Sequence, residues 1–231
     1  MGNITNGAYG EKVWNDKIKA QGEVGVIFGT VSSMKKVNEE TKKFMNFFDE
    51  QISPRLEKGA KILDLGTGPM ARFSIALANR GYKVIGIDIS EETLRLAKKY
   101  AENQKAKVDF KKADMTEIDK IDQKFDFAMC IATFYHVPPH LTGIALMKIN
   151  KVLNKDGKFL VEFGVHTKKT FKTFIKDKIY WAGHYAKRLF GKGFNVNVSR
   201  FSQKELTELI EKTGFTIEKK FGPAMFLLRV K

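Results

Sequence analysis

Cysteine, metal-ligand spacing and long apolar runs are what this chain has least of. Cys130 is the sole cysteine among 231 residues. No intramolecular disulfide can therefore form, and its place inside an apolar stretch marks a buried, inert thiol. Four histidines stand without cysteine or carboxylate at ligand spacing, so no metal site is predicted. No run of ~18 apolar residues occurs, so no transmembrane span is expected. Met1 to Gly10 is polar, so no secretory signal is expected and the predicted location is cytoplasmic. Acids are scarce as well, 26 against 41 lysines and arginines, for a net charge of +15. That surplus suits attraction to a polyanion or an anionic membrane surface, and equally a solvated, lysine-rich exterior. What is present is enough chain, 43% of it hydrophobic, for one α/β domain with a full core.

The chain is organised around Lys61 to Met70, KILDLGTGPM. Lys61 to Leu65 reads as a buried parallel strand, Gly66-Thr67-Gly68 as a turn, and Pro69 as a residue that can open a helix. Glycines in such a turn let backbone amides approach a ligand, because no Cβ intervenes; an ordinary tight turn has the same composition. A second apolar strand, Lys83 to Ile87, ends at Asp88. An acid roughly 20 residues past the turn is where ribose hydroxyls are held in dinucleotide folds. The spacing points to an adenosine ligand without naming the cofactor, since Gly66 to Ala71 also satisfies the G-x-G-x-x-G/A pattern of nicotinamide and flavin enzymes. Charge separates these alternatives. A pyrophosphate ~5 Å from Asp64 would meet about 3 kcal/mol of repulsion at an effective dielectric of ~20. A ligand carrying an ammonium and a sulfonium would be attracted.

With these residues the stretch resembles motif I of the class I S-adenosylmethionine-dependent methyltransferases, of the ubiquinone/menaquinone-methyltransferase-like type. Asp88 matches the family's ribose-binding acid, and Val108 to Met115 the region whose acid, here Asp114, contacts the adenine amino group. Phe125 to Ile131 is similar to the fourth strand, Asp156 to Val161 to the fifth and Thr213 to Ile217 to the sixth. The resemblance covers about residues 55 to 231. It implies a doubly wound, mostly parallel seven-stranded sheet with an antiparallel last strand, N-terminal helices and a helical lid insertion. It implies S-adenosylmethionine as cofactor, with Asp64, Gly66, Thr67, Gly68, Asp88, Ile89, Asp114, Met115 and Ile131 as cofactor-binding residues. One departure is Met70, which takes the place of the third glycine.

The expected organisation is one methyltransferase domain: an N-terminal helical cap (1–54), a cofactor core (55–163), an acceptor lid (164–200), and a C-terminal helix with a strand hairpin (201–231). Asn38 before Glu39 and Glu40 reads as a helix start, followed by an apolar face of Phe44, Phe48 and Ile52 that should pack on the sheet edge. Upstream, Tyr9, Trp14 and Phe28 are aromatic candidates to close over a cofactor. Ser90 should cap one later helix, and Ser202 with Glu205 another. The loop Ala132 to Pro139 follows the fourth strand, and in the family it borders both the transferred methyl and the acceptor. Tyr135 and His136 are therefore the candidate catalytic residues, since histidine, with an ordinary pKa of about 6.5, can take a proton at neutral pH. In the lid, eight basic residues between Lys168 and Lys192 share the segment with aromatic residues including Tyr180, Trp181, His184 and Tyr185. Those aromatics suit an acceptor pocket and the bases an RNA or anionic membrane surface. The predicted function is methyl transfer to an O, N or C atom of a small, aromatic or lipid-like acceptor. The alternatives are an RNA (tRNA) methyltransferase, argued down by the lack of an RNA-binding module, and a non-catalytic S-adenosylmethionine-binding module.

Overall fold

A computed structural model describes residues 10–20, 34–166 and 198–231. Seven strands form one sheet: β1 (Lys61–Leu65), β2 (Lys83–Asp88), β3 (Val108–Lys112), β4 (Phe125–Cys130), β5 (Leu153–Glu162), β6 (Phe215–Phe221) and β7 (Met225–Val230). Their order is β3-β2-β1-β4-β5-β7-β6. The first five run parallel, and β7 lies antiparallel to both β5 and β6. The helices are α1 (10–20), α2 (Met34–Gln51), α3 (Arg72–Ala78), α4 (Glu91–Asn103), α5 (Pro139–Val152) and α6 (Gln203–Lys212). The expected doubly wound sheet with its antiparallel end is present. Among the described residues no helix is long and apolar enough to cross a membrane.

The central strands are apolar at almost every position because helices cover both faces. Alternation along each strand divides the residues between two cores. Ile62, Phe127, Met129 and Leu160 meet Phe44, Phe48, Phe73 and Leu77 of α2 and α3. Leu63, Leu65, Ala128, Cys130 and Phe159 meet Ala145, Leu146 and Ile149 of α5 and Leu206 and Ile210 of α6. Burying Phe48, which is fully covered, stabilises the fold by about 2–3 kcal/mol.

Three expectations need correction. Asn38 does not start a helix; α2 already includes Met34, and Val37 is buried one residue before the supposed cap. Burial of the Val37, Phe44 and Phe48 face sets this helix, and packing outweighs a capping preference. The same face packs across the sheet, not on its edge. Pro69 does not open α3; the helix begins at Arg72, after a left-handed Ala71 (φ 43°). The residue with positive φ at this position is thus Ala71, and Met70 is a buried residue beside it. The Ser90 cap and the Ser202–Glu205 capping box are present as expected. Tyr9, Phe28, the lid lysines, Tyr180, Trp181, His184 and Tyr185 lie outside the described residues.

Candidate functional site

Strand order reverses at β1, which has β2 on one side and β4 on the other. The crevice beyond the carboxyl ends of such strands is where open α/β sheets take ligands. A cavity of about 450 Å³ lies there, and every residue named from the sequence as cofactor-binding or catalytic lines it. Consecutive strands of a parallel sheet all end on the same side, which is why residues so far apart in the chain meet. Among the described residues, no group of three or more His, Cys, Asp or Glu side chains could hold a metal ion.

The floor begins with the glycine turn. Backbone amides of Gly66 and Thr67 both donate to the carbonyl of Ile87 at 2.9 Å, tying the turn to the end of β2. Gly66 has φ 76°, and a Cβ there would fall 2.3 Å from Thr133 Cγ2. Gly68 also has positive φ, 69°, but a Cβ on it would meet nothing within 4 Å. The first glycine is demanded by packing; the second leaves open space on the cavity wall.

Two carboxylates stand beside this turn. Asp64 is 3% exposed and accepts a 2.5 Å hydrogen bond from Ser74 Oγ, whose oxygen is 2.9 Å from Thr67 Oγ1. Burial pushes its carboxyl up to about 6, against the opposing pull of the Ser74 and Thr67 hydroxyls and the Arg72 charge. Asp88 accepts from the Gly68 amide at 3.3 Å and the Ser90 amide at 3.0 Å. Burial raises it to about 6 as well, and the nearby Asp64 charge pushes the same way. This floor concentrates negative charge at a cost that a cationic ligand would relieve. Asp114 Oδ1 accepts from both the amide and the hydroxyl of Thr116 at 2.8 Å, capping the short turn that carries Met115. Ile89 and Ile131 add apolar wall.

Beyond β4, the short helical turn Phe134–His136 is held by Phe134, 1% exposed and edge-on to Phe163 at 5.3 Å. The Tyr135 carbonyl accepts from the Ser199 amide at 2.7 Å, so the chain on its return at residue 198 braces this turn. The Tyr135 and His136 rings lie 4.5 Å apart. Burial, with the Glu162 charge, pushes the Tyr135 phenol up to about 12, so it keeps its proton at neutral pH.

The roof is α1. Trp14 meets the His136 ring edge-on at 5.1 Å. Asn15 Oδ1 accepts from Ser90 Oγ at 2.6 Å and from the Glu92 amide at 3.3 Å, joining the cap of α4. Lys112 donates to Glu11 at 2.8 Å. Gly10, Trp14 and Lys17, spaced i, i+4 and i+7, present one face to the cavity.

Residues 56–214 match the family model of a methyltransferase domain. The chain belongs to that family. It is a class I S-adenosylmethionine-dependent methyltransferase, and S-adenosylmethionine is the cofactor of the class. The ribosomal protein L11 methyltransferase of Dictyoglomus turgidum is 33% identical over 116 residues, 48% of this chain and 35% of that protein. The chain thus spans about a third of that relative's length. The ubiquinone biosynthesis O-methyltransferase of Coxiella burnetii is 28% identical over 173 residues, covering 75% of this chain and 69% of the relative. Among solved structures, the magnesium protoporphyrin IX methyltransferase of Synechocystis with bound SAH superposes with a TM-score of 0.70 at 16% identity, covering 96% of this chain and 98% of that one. At that identity the superposition establishes the fold. The relatives' names span a ribosomal protein, ubiquinone biosynthesis and a magnesium porphyrin, so membership leaves the acceptor open.

Sequence reasoning missed several residues of this methyltransferase's cavity, among them Lys17, Arg72, Thr133 and Leu141. The helical spacing of Gly10, Trp14 and Lys17 was a usable signal for one of them. Arg72 carried none, because its place follows from where α3 begins.

Proposed function

We propose that this methyltransferase transfers the methyl group to an O, N or C atom of a small acceptor with an aromatic or lipid-like body. The observation that carries the reading is the ring of Asp64, Asp88, Asp114 and the two glycines around one cavity at the carboxyl ends of β1, β2 and β3. The residues fit the cofactor: Gly68 leaves room against its backbone, and buried carboxylates are matched to positive charge. In this reading Asp64 faces the methionine end, Asp88 accepts from the ribose hydroxyls, and Asp114 with Met115 and Ile89 borders the adenine. S-adenosylmethionine supplies a methyl group already activated on a sulfonium.

Tyr135 and His136 hold the acceptor side. Tyr135, protonated at neutral pH, donates a hydrogen bond to an acceptor oxygen and cannot serve as the base. His136 is the group that takes the acceptor's proton, and its ring is set between Tyr135 and Trp14. Ile131 and Leu141 give apolar surface for the acceptor body. Positioning accounts for much of the rate, because holding reactants in line replaces a bimolecular encounter.

Calorimetric titration with S-adenosylmethionine and S-adenosylhomocysteine tests the cofactor half. Binding by the wild type that Asp88→Ala removes supports it; folded protein that binds neither ligand sinks it. Incubation with methyl-labelled cofactor and fractionated extract tests the acceptor half. Label is expected in small metabolites or lipid, whereas label confined to RNA or protein would refute a small acceptor.

A further inference from the structure

Two basic side chains line the cavity, Lys17 on the roof and Arg72 at the start of α3. They differ in what surrounds them. The Arg72 guanidinium lies over the Phe73 ring at 4.4 Å and is attracted by Asp64 and Glu40. Lys17 sits 4.6 Å from the Trp14 ring centroid, and among the described residues it has no ion pair. Two nearby cations are matched: Lys112 reaches both Glu11 and Glu91, and Arg95 reaches Glu92. Burial lowers the pKa of Lys17, a sign of the solvation its ammonium has given up.

A cation drawn partly out of water without a counter-ion costs free energy that an anion in the cavity would return. The cofactor brings one carboxylate, and Arg72, attracted by Asp64 beside the glycine turn, is the cation for that end. Lys17 is left to the other ligand. Its ammonium and the His136 imidazole flank the same indole, so an anionic group at Lys17 would lie on the acceptor's side, with its apolar body on Trp14.

We propose that Lys17 is a specificity residue selecting an acceptor that carries an anionic oxygen, a carboxylate or phenolate, on an aromatic body. The inference rests on the methyltransferase reading given above and narrows its acceptor class. Specificity of this kind comes as much from refusing the neutral analogue, which leaves the lysine unmatched, as from attracting the anion.

The test is calorimetric titration of SAH-saturated protein with 2-naphthoate, 2-naphthol and 2-naphthamide at neutral pH. Naphthoate is expected to bind about tenfold tighter than naphthamide; naphthol, if taken up as its anion, releases a proton detectable as a buffer-dependent heat. Lys17→Met should abolish the preference and Lys17→Arg should keep it, both leaving SAH affinity within about twofold. Equal binding of the three probes by wild type overturns the proposal. So does a Lys17→Met protein that loses SAH affinity, which would make this lysine the cofactor's counter-ion. Wild type that binds SAH but shows no anion preference sinks this inference alone, whereas wild type that fails to bind SAH sinks the methyltransferase reading with it.

Discussion

The floor and the roof of the cavity are built by different physics. The floor is made of strand ends whose neighbours, Leu63, Leu65 and Ile87, are buried in the main core, so its carboxylates cannot move without disturbing the sheet. The roof is a short helix held by one buried side chain, Ile18, and by Asn15, Glu11 and Trp14, which are only partly buried. Elements with few buried contacts open at low free energy, while core strands open only with the whole domain. In the proposed reading the floor is therefore the part that recognises a ligand common to the family, and the roof the part able to differ with the acceptor and to let ligands in and out.

Substitutions on the floor should outweigh any on the roof. The largest effect is expected from Asp88→Ala, which removes a charged hydrogen-bond acceptor at the proposed ribose position. A loss of about 3 kcal/mol, roughly 100-fold in SAH affinity, is expected by calorimetry, with the circular dichroism spectrum unchanged. A roof variant that cost more than this would break the comparison. The two glycines sharpen it within the floor. Gly66→Ala places a methyl 2.3 Å from Thr133 at positive φ, and should lower unfolding free energy by about 2 kcal/mol in urea denaturation. Gly68→Ala has room for its methyl, so stability should fall by only about 1 kcal/mol while SAH affinity drops about tenfold.

Acidification should separate floor from roof without a mutation. Asp64 and Asp88 titrate near 6 in the folded protein, above the ordinary carboxylate value of about 3.9 in the unfolded chain. The folded state thus holds protons that the unfolded state has released. For these two groups, the empty protein is steadiest below about pH 4 and loses that contribution as pH rises through 6. Cofactor affinity runs the other way, because protonation discharges the carboxylates that attract it. Between pH 7 and 5, binding of S-adenosylmethionine should weaken by roughly tenfold in all for each carboxylate that must be ionised, most of it below pH 6. Titrations in buffers of different ionisation enthalpy should show protons released on binding near pH 6. A pH-independent affinity would mean the carboxylates do not face the ligand's charge.

The floor was legible in the sequence and the roof mostly was not. Asp64, Gly66, Gly68, Asp88 and Asp114 announce themselves because strand period and loop spacing are local, and a parallel sheet converts local strand ends into one shared rim. Errors arose where a local signal met a tertiary one. Asn38 carries a capping preference, yet the buried Val37 shows the packed face starting upstream of it. Pro69 was read by position in a motif, while the backbone delays the helix to Arg72 and puts the left-handed conformation on Ala71. Trp14 could be named only as an aromatic candidate, since nothing in residues 10–20 says that His136 will lie under it. Lys17 and Arg72 differ in chemistry only after folding has decided which of them acquires acidic neighbours.

The smallest effect, and the finest probe of the roof, belongs to Asn15→Ala. Its side-chain oxygen accepts from Ser90 Oγ and the Glu92 amide, the main polar link between α1 and the cap of α4. Both donors sit at a helix N-terminus, where solvent or the Ser90 side chain can replace the lost acceptor for one of them, so the net loss should be about 1 kcal/mol. That loss falls on the attachment of α1 and not on the sheet. The unfolding midpoint should shift by no more than about 2 °C, while amide exchange in residues 10–20 quickens and SAH dissociates about fivefold faster. An equal slowing of association would mean that α1 shapes the floor; faster release at an unchanged association rate is what a separately held roof requires.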